Sequence, residues 1–242
     1  VGSEMCIRDR SCGSAIPEGI VTKTLERFGP VLYNQYGSTE VSWATIATPD
    51  ELKANPTTAG RAPLGTRVQI LDEDGNRVAD GETGRIFVGN NMLYEGYTRP
   101  GADKQVIDGM VCTGDLGRME NGLLYISGRE DDMIVSGGEN VFPRQTEDAL
   151  SQLEGIRECA VAGVPDERFG QALVAWVVRD DSPEGRALTN EQIRTYVKQR
   201  LSRFAVPRET VFLDELPRNA VGKVVPRHLP KPWENAAEEK AA

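Results

Sequence analysis

The sequence predicts an α/β part followed by an α+β part, and three observations carry that reading. Near the start, a helical pattern ("PEGIVTKTLERFG") leads into a short apolar run ("PVLYNQYG"). Residues 57–129 then hold closely spaced strand patterns separated by Gly, Asn and Asp turns. The last stretch alternates strands and helices over about a hundred residues, the size of a small separate domain. The expected fold is therefore the last αβ unit of a larger sheet, a small β-barrel or sandwich subdomain, and a small α+β domain.

Each element has a local reason. Residues 1–10, "VGSEMCIRDR", carry no period of either kind and join abruptly to "SCGSAIPEG". They resemble a translated sequencing-adapter artefact and are set aside as a non-native leader. Pro17 suits a first helical position. Ile20, Leu25 and Phe28 fall near one helix face, and Gly29 ends the helix. The strand that follows closes on Gly37. Helix then strand reads as the end of a parallel sheet whose earlier units lie upstream. "TRVQILDEDGNRV" is a strand with a D-G turn and a short return. "GETGRIFVGN" is a strand between glycines, and "MVCTGDLGRMENGLLYISGR" gives two strands around "ENG". "MIVSGGENVFP" is hairpin-like. "PRQTEDALSQL" is a helix with Pro143 near its start and Ala149, Leu150 and Leu153 inward. "IRECAVAGVPD", "ALVAWVVRD" and "ETVFLDELP" are strands. In "TNEQIRTYVKQRLSRF", Thr189 and Gln192 form a capping-box pattern, and Ile193, Tyr196, Val197, Leu201 and Phe204 share a stripe. The implied division is 1–10 leader, 11–130 first part, 131–230 small domain and 231–242 a frayed tail.

Composition bounds the function. The chain has 242 residues, 39% apolar and 27% charged, enough for a core in one large domain or two modest ones. No apolar run approaches the ~20 residues of a membrane helix, and residues 1–10 hold no apolar signal segment. The formal net charge of −9 argues against nucleic acid as a partner. No two of the four cysteines stand in C-x-x-C spacing, which suits a cytoplasmic protein without a zinc or disulfide framework.

Four short stretches could carry chemistry, each with a plain alternative. In "YNQYGSTEVSW", Gly37, Ser38 and Thr39 could hold phosphate, Glu40 could bind Mg²⁺ through hard oxygen, and Tyr36 could stack on a base. The same residues also make an ordinary capped turn. In "CTGDLGRMENGLLYISGR", Asp115 and Arg129 each follow a glycine at a strand end, where a carboxylate can hold ribose hydroxyls and a guanidinium can add donors. They equally make an ion pair on a turn. Gly137 and Gly138 in "VSGGENVFP" let the backbone pass close to a ligand, or simply turn a hairpin. Lys223 in "LPRNAVGKVVPR" sits in a Gly-bearing loop and could meet developing phosphate charge, or lie on the surface. His228, the only histidine, has no evident carboxylate partner and is read as surface or packing.

Taken in order, "GSAIP", "YNQYGSTE", "TGD", "GREDDMIVSGGENVFP" and "RNAVGKV" resemble the adenylate-forming enzymes: acyl-CoA synthetases, peptide-synthetase adenylation domains and firefly luciferase. The likeness runs from about Ser11 to about Pro230 and looks most like bacterial fatty-acyl-CoA ligases. It implies the end of a large AMP-binding domain, then a small mobile domain hinged at Asp131. It implies ATP, Mg²⁺ and coenzyme A as co-substrates of a carboxylic acid, and leaves room for peripheral contact with a membrane. Gly13, Ser14 and Ala15 would lie beside adenine and Tyr36 would stack on it. Thr39 would contact phosphate, Glu40 would bind Mg²⁺, and Asp115 and Arg129 would hold the ribose. Lys223 would bridge carboxylate and α-phosphate. After a swing of the small domain, Gly137, Gly138 and Glu139 would line the pantetheine tunnel. The alternatives are delivery to a carrier protein and a non-catalytic nucleotide-binding module.

The chain departs from the family in four respects. The Gly- and Ser/Thr-rich phosphate loop with its lysine, and most of the acyl pocket, have no counterpart here. Val221 replaces a common Ser or Thr, and Pro226 a common basic residue. The expectation is a C-terminal portion of a synthetase that is inactive by itself.

Overall fold

The computed structural model describes residues 9–13, 16–98, 103–220 and 222–231. It divides into two compact units. The first runs to Ile134 and takes in Asn140–Asp148; the second comprises Val135–Glu139 and the chain from Ala149. The chain thus passes between units a few residues after the boundary drawn at Asp131.

In the first unit, β1 (Asp9–Ser11) lies parallel to β2 (Leu32–Ser38), with α1 (Glu18–Phe28) between them in sequence. The leader boundary drawn from sequence falls inside β1: Asp9 and Arg10 pair with Leu32 and Tyr33. Three residues of mixed polarity have no period of their own, so only the neighbouring strand reveals them. The expected face of α1 also needs correcting. Val21 is buried and packs with Leu32, Ala47, Leu52 and the partly buried Leu25, whereas Ile20 and Phe28 are exposed. One residue is about 100° of helix, so choosing Ile20 in place of Val21 turns the whole stripe.

Next come β3 (Ser42–Ala47), antiparallel to β2, and α2 (Pro49–Ala54), both absent from the sequence reading. The Thr48 side chain accepts from the Glu51 N–H while the Glu51 side chain accepts from the Thr48 N–H, a reciprocal cap that starts α2. At the β2–β3 hairpin the register shifts between Tyr36 and Gly37. A Cβ on Gly37 would stand 1.8 Å from the Ser42 carbonyl oxygen, so only glycine fits. Gly37→Ala is therefore expected to cost about 3 kcal/mol or more, read as a lowered urea midpoint. An unchanged midpoint would mean that this hairpin is packed differently.

The second sheet of this unit holds β4 (Arg67–Leu71), β5 (Gly84–Gly89), β6 (Val106–Ile107), β7 (Met110–Glu120) and β8 (Leu123–Arg129). Its pairs are antiparallel, in the order β4-β5-β7-β6, with β8 also along β7. Asn121 and Gly122 join β7 to β8 with φ of 53° and 75°, the two positive values that a tight hairpin matching strand twist requires. Val41, Ala44, Ile70, Ile86, Val88, Val111 and Leu124 form the core beneath. Burying a side chain of this size stabilises by roughly 1.5–3 kcal/mol.

Along the second part of the chain run β9 (Ile134–Ser136), β10 (Glu139–Val141), α3 (Pro143–Leu150), β11 (Ile156–Asp166), β12 (Gly170–Arg179), α4 (Pro183–Ala187), α5 (Asn190–Lys198) and β13 (Glu209–Leu213). The sheet order is β10-β9-β12-β11, with β13 parallel to β12. Ala172 to Val178 in β12 are all buried, the continuous apolar run of a central strand. Trp176 in that run donates from Nε1 to the Pro230 carbonyl at 2.7 Å and so ties the end of the described chain to the core. The Thr189–Gln192 cap of α5 is present as expected. Two helices end earlier than their patterns suggested. α5 stops at Lys198, leaving Leu201 and Phe204 beyond it, and α3 stops at Leu150, leaving Leu153 beyond it. Leu153, Leu201 and Phe204 stay partly buried in the turns that follow, so the apolar spacing runs on past the helix ends. The expected frayed tail lies, from residue 232, outside the described residues.

Candidate functional site

Three strands of the first unit bring one network together. Asp115 lies within β7, not at the strand end expected for it, because the strand continues past Gly114 to Glu120. It stands directly opposite Arg129 at the end of β8, and Tyr36 comes from β2. The Tyr36 hydroxyl donates to Asp115 Oδ2 at 2.5 Å. Arg129 Nη1 lies 3.5 Å from Asp115 Oδ1, and its Nε donates to Asp131 Oδ1 at 3.0 Å. Thr113 holds the turn: its hydroxyl accepts the Asp115 N–H at 3.1 Å and donates to the Ile86 carbonyl at 3.2 Å. The expected ion pair and the expected site residues are thus the same side chains.

The charges are tuned by burial and by each other. Burial raises the Asp115 carboxyl above its ordinary range, against the Tyr36 hydrogen bond and the charges of Arg129 and Lys104. Burial and the Asp115 charge push the Tyr36 phenol well up, so it stays a donor. The Arg129 hydrogen bond lowers Asp131. Burial works against the Arg129 charge, but Asp131 and Asp115 outweigh it and raise Arg129 further.

Glu40 sits at the turn between β2 and β3. Its main-chain carbonyl accepts from the Tyr94 N–H at 2.9 Å, and its carboxylate accepts from the Tyr97 hydroxyl. Partial burial works to raise Glu40, but hydrogen bonds from Ser38 and Tyr97 outweigh it and lower the carboxyl. The same bond pushes Tyr97 up to about 12. A carboxyl lowered in the folded state adds stability above its ordinary range and loses it as pH falls through the lowered value. Tyr97→Phe is therefore expected to move the Glu40 titration upward, read by NMR at its carboxyl carbon. No movement would show that Ser38, the main chain and Lys104 set it without Tyr97.

One half-exposed carboxylate fits Mg²⁺, which commonly takes one or two protein carboxylates and leaves its other positions to phosphate and water. No cluster of three His, Cys, Asp or Glu side chains able to hold a metal exists among the described residues.

Thr39 is exposed beside Glu40, and Gly37 is fixed by the hairpin. Gly13 is described with φ 92°; Ser14 and Ala15 lie outside the described residues. Gly137 and Gly138 turn from β9 to β10 with φ of 58° and 88°, and Glu139 opens β10. Lys223 belongs to the second unit, with an exposed side chain. Its loop is a bonded turn: the Lys223 N–H donates to Asn219 Oδ1 at 2.9 Å, and the Asn219 N–H donates to the Lys223 carbonyl at 2.9 Å. Sequence reasoning missed Tyr94, Tyr97 and Lys104. Two tyrosines three apart around Gly96, in a stretch with no strand or helix period, were the available signal.

Comparison with known proteins gives a consistent result. Residues 4–98 match the AMP-binding enzyme family and residues 145–223 match the AMP-binding enzyme C-terminal domain. The medium/long-chain-fatty-acid–CoA ligase FadD8 of Mycobacterium tuberculosis is 38% identical over 220 residues, covering 87% of this chain and 38% of the relative. The amide bond synthetase McbA of Marinactinospora thermotolerans superposes with a TM-score of 0.83 at 30% identity, over 90% of this chain and 45% of that one. The o-succinylbenzoate CoA synthetase MenE of Bacillus subtilis, solved with its acyl-adenylate intermediate, gives 0.81 at 28% identity, over 92% of this chain and 45% of that one. The chain spans between 38% and 43% of the length of curated relatives that it matches. No helix among the described residues is long and apolar enough to cross a membrane.

Proposed function

This chain belongs to the AMP-binding, adenylate-forming enzyme family, and from that premise we propose that its parent protein is an AMP-forming ligase joining a carboxylic acid, foremost a fatty acid, to coenzyme A. The Tyr36–Asp115–Arg129 network beside the Glu40 turn carries this reading. It offers a ring, a carboxylate and a guanidinium for a nucleoside, and a hard oxygen ligand for the ion on its phosphates.

In the first half-reaction, a carboxylate oxygen attacks the α-phosphorus of ATP and the bond to pyrophosphate breaks. In the second, the coenzyme A sulfur attacks the acyl carbon and AMP leaves with the bonding pair. Tyr36 stacks on adenine with its ring plane fixed by the Asp115 bond. Asp115 and Arg129 hold the ribose, Gly13 and its neighbours border the base, and Thr39 contacts phosphate. Glu40 would hold Mg²⁺, which when bound would supply charge neutralisation at the phosphates. Lys223 meets the α-phosphate during adenylation. A swing about Asp131 then exchanges it for Gly137, Gly138 and Glu139 beside the thiol. The likeness to FadD8 supports the fatty-acid choice. The 242 residues hold no Gly- and Ser/Thr-rich loop with a lysine to cradle the triphosphate, so this stretch by itself is inactive.

The test is pyrophosphate release with ATP, Mg²⁺ and a fatty-acid panel, on the full-length protein and on this stretch. Turnover by the former alone supports both parts. Robust turnover by the 242 residues overturns the second part, and none by the full-length protein overturns the first. The likeness to an amide bond synthetase favours a second reading, in which an amine takes the acyl group. Product analysis with coenzyme A and amine in competition separates the two.

A further inference from the structure

Lys104 is half-buried, and its main-chain N–H donates to the hydroxyl of Tyr94 at 2.9 Å. The N–H of Tyr94 in turn donates to the Glu40 carbonyl at 2.9 Å. Its ammonium reaches over Gly114. A Cβ built there would lie 3.2 Å from Lys104 Nζ and 3.4 and 3.5 Å from Nη2 and Nη1 of Arg129. Two cations therefore border one methyl-sized space, which Gly114, at φ +81°, leaves open. Like charges so close repel unless anions compensate them. Arg129 has Asp115 and Asp131, but Lys104 forms no ion pair among the described residues. Its charge is nevertheless felt by Glu40, Asp115 and Asp131 alike.

We propose that Lys104 is a phosphate-binding residue of the nucleotide site, its ammonium donating to a non-bridging oxygen of the α-phosphate. The inference rests on the reading of Asp115 as the ribose-holding carboxylate and Glu40 as the metal-side one. The α-phosphate is the part of the nucleotide that joins those two ends, and Lys104 is tied to both. Its ammonium borders Gly114 next to Asp115, and its main chain is linked through Tyr94 to Glu40. A lysine serves here as a compact point charge on a flexible stem, suited to phosphate without the fixed fork of arginine.

Calorimetric titration of the 242-residue chain with AMP and with adenosine tests it. Lys104→Met is expected to weaken AMP about tenfold, the typical effect of losing one charge-assisted hydrogen bond, and to leave adenosine unchanged. Unchanged adenosine affinity also shows that the variant is folded. Lys104→Arg should keep most of the AMP affinity. Equal losses for both ligands would place Lys104 on the ribose or in the framework, and no loss for either would place it outside the site. Both results overturn the proposal while the nucleotide-site reading stands. Failure of the unmutated chain to bind either ligand overturns both.

Discussion

Lys223→Ala in the full-length protein is expected to slow acyl-adenylate formation by ~10²–10³, the typical effect of removing one preorganised donor from developing phosphate charge. The side chain is exposed, and the turn that carries it is held by Asn219 through main-chain atoms of residue 223. Removing the ammonium should therefore leave stability and ground-state ATP binding nearly unchanged. Acid-dependent exchange of labelled pyrophosphate into ATP reads the first half-reaction. Thioester formation from a synthetic acyl-adenylate reads the second, and should proceed at the normal rate. That split separates a group acting in one transition state from a structural one. Normal exchange in the variant would remove Lys223 from the chemistry and leave the second unit without its proposed role.

Asp115→Ala is expected to weaken adenosine and AMP equally, by ~10² or more. Two ribose hydroxyls donating to one carboxylate contribute on the order of 3 kcal/mol or more together, since each such bond is worth ~1.5–3 kcal/mol. Stability should change far less. The variant strands the Tyr36 hydroxyl, at a cost of about 1–3 kcal/mol, but it also relieves the burial that raises the Asp115 carboxyl. These effects oppose one another. As to pH, a carboxyl raised in the folded state favours folding while protonated, so its ionisation subtracts stability as pH climbs above the ordinary carboxylate range. The alanine variant should lose that decline, which urea midpoints measured across mildly acidic pH would show. Retained adenosine affinity would refute the ribose assignment.

Much of this site was legible because its motifs are local. "SGR" ends a strand as its pattern suggested, whereas "TGD" lies inside one; the N-G turn between them pairs the two strands and sets Asp115 opposite Arg129. The Tyr36 contribution was only half legible. Its ring could be assigned to a base, but its hydroxyl bond to a residue 79 positions away is a tertiary fact. Tyr94, Tyr97 and Lys104 were missed because they stand in an irregular segment where no period points to a face. The same limit explains the missing β1, whose three residues become a strand only beside Leu32 to Asn34. The α1 error is different, a periodic helix read one residue out of phase.

The sequence by itself determined the longer elements, though not β1, β3 or α2, together with the order of the motifs and the family. It could do so because periodicity, turn residues and motif spacing are properties of the chain read in one dimension. Only the tertiary structure decided which charges face one another. It closed Asp115 between Tyr36 and Arg129, seated Glu40 under Tyr97, and brought Lys104 over Gly114. The physical reason is range. Backbone preferences act over a few residues, whereas burial and Coulomb forces act through space and depend on which strands pair.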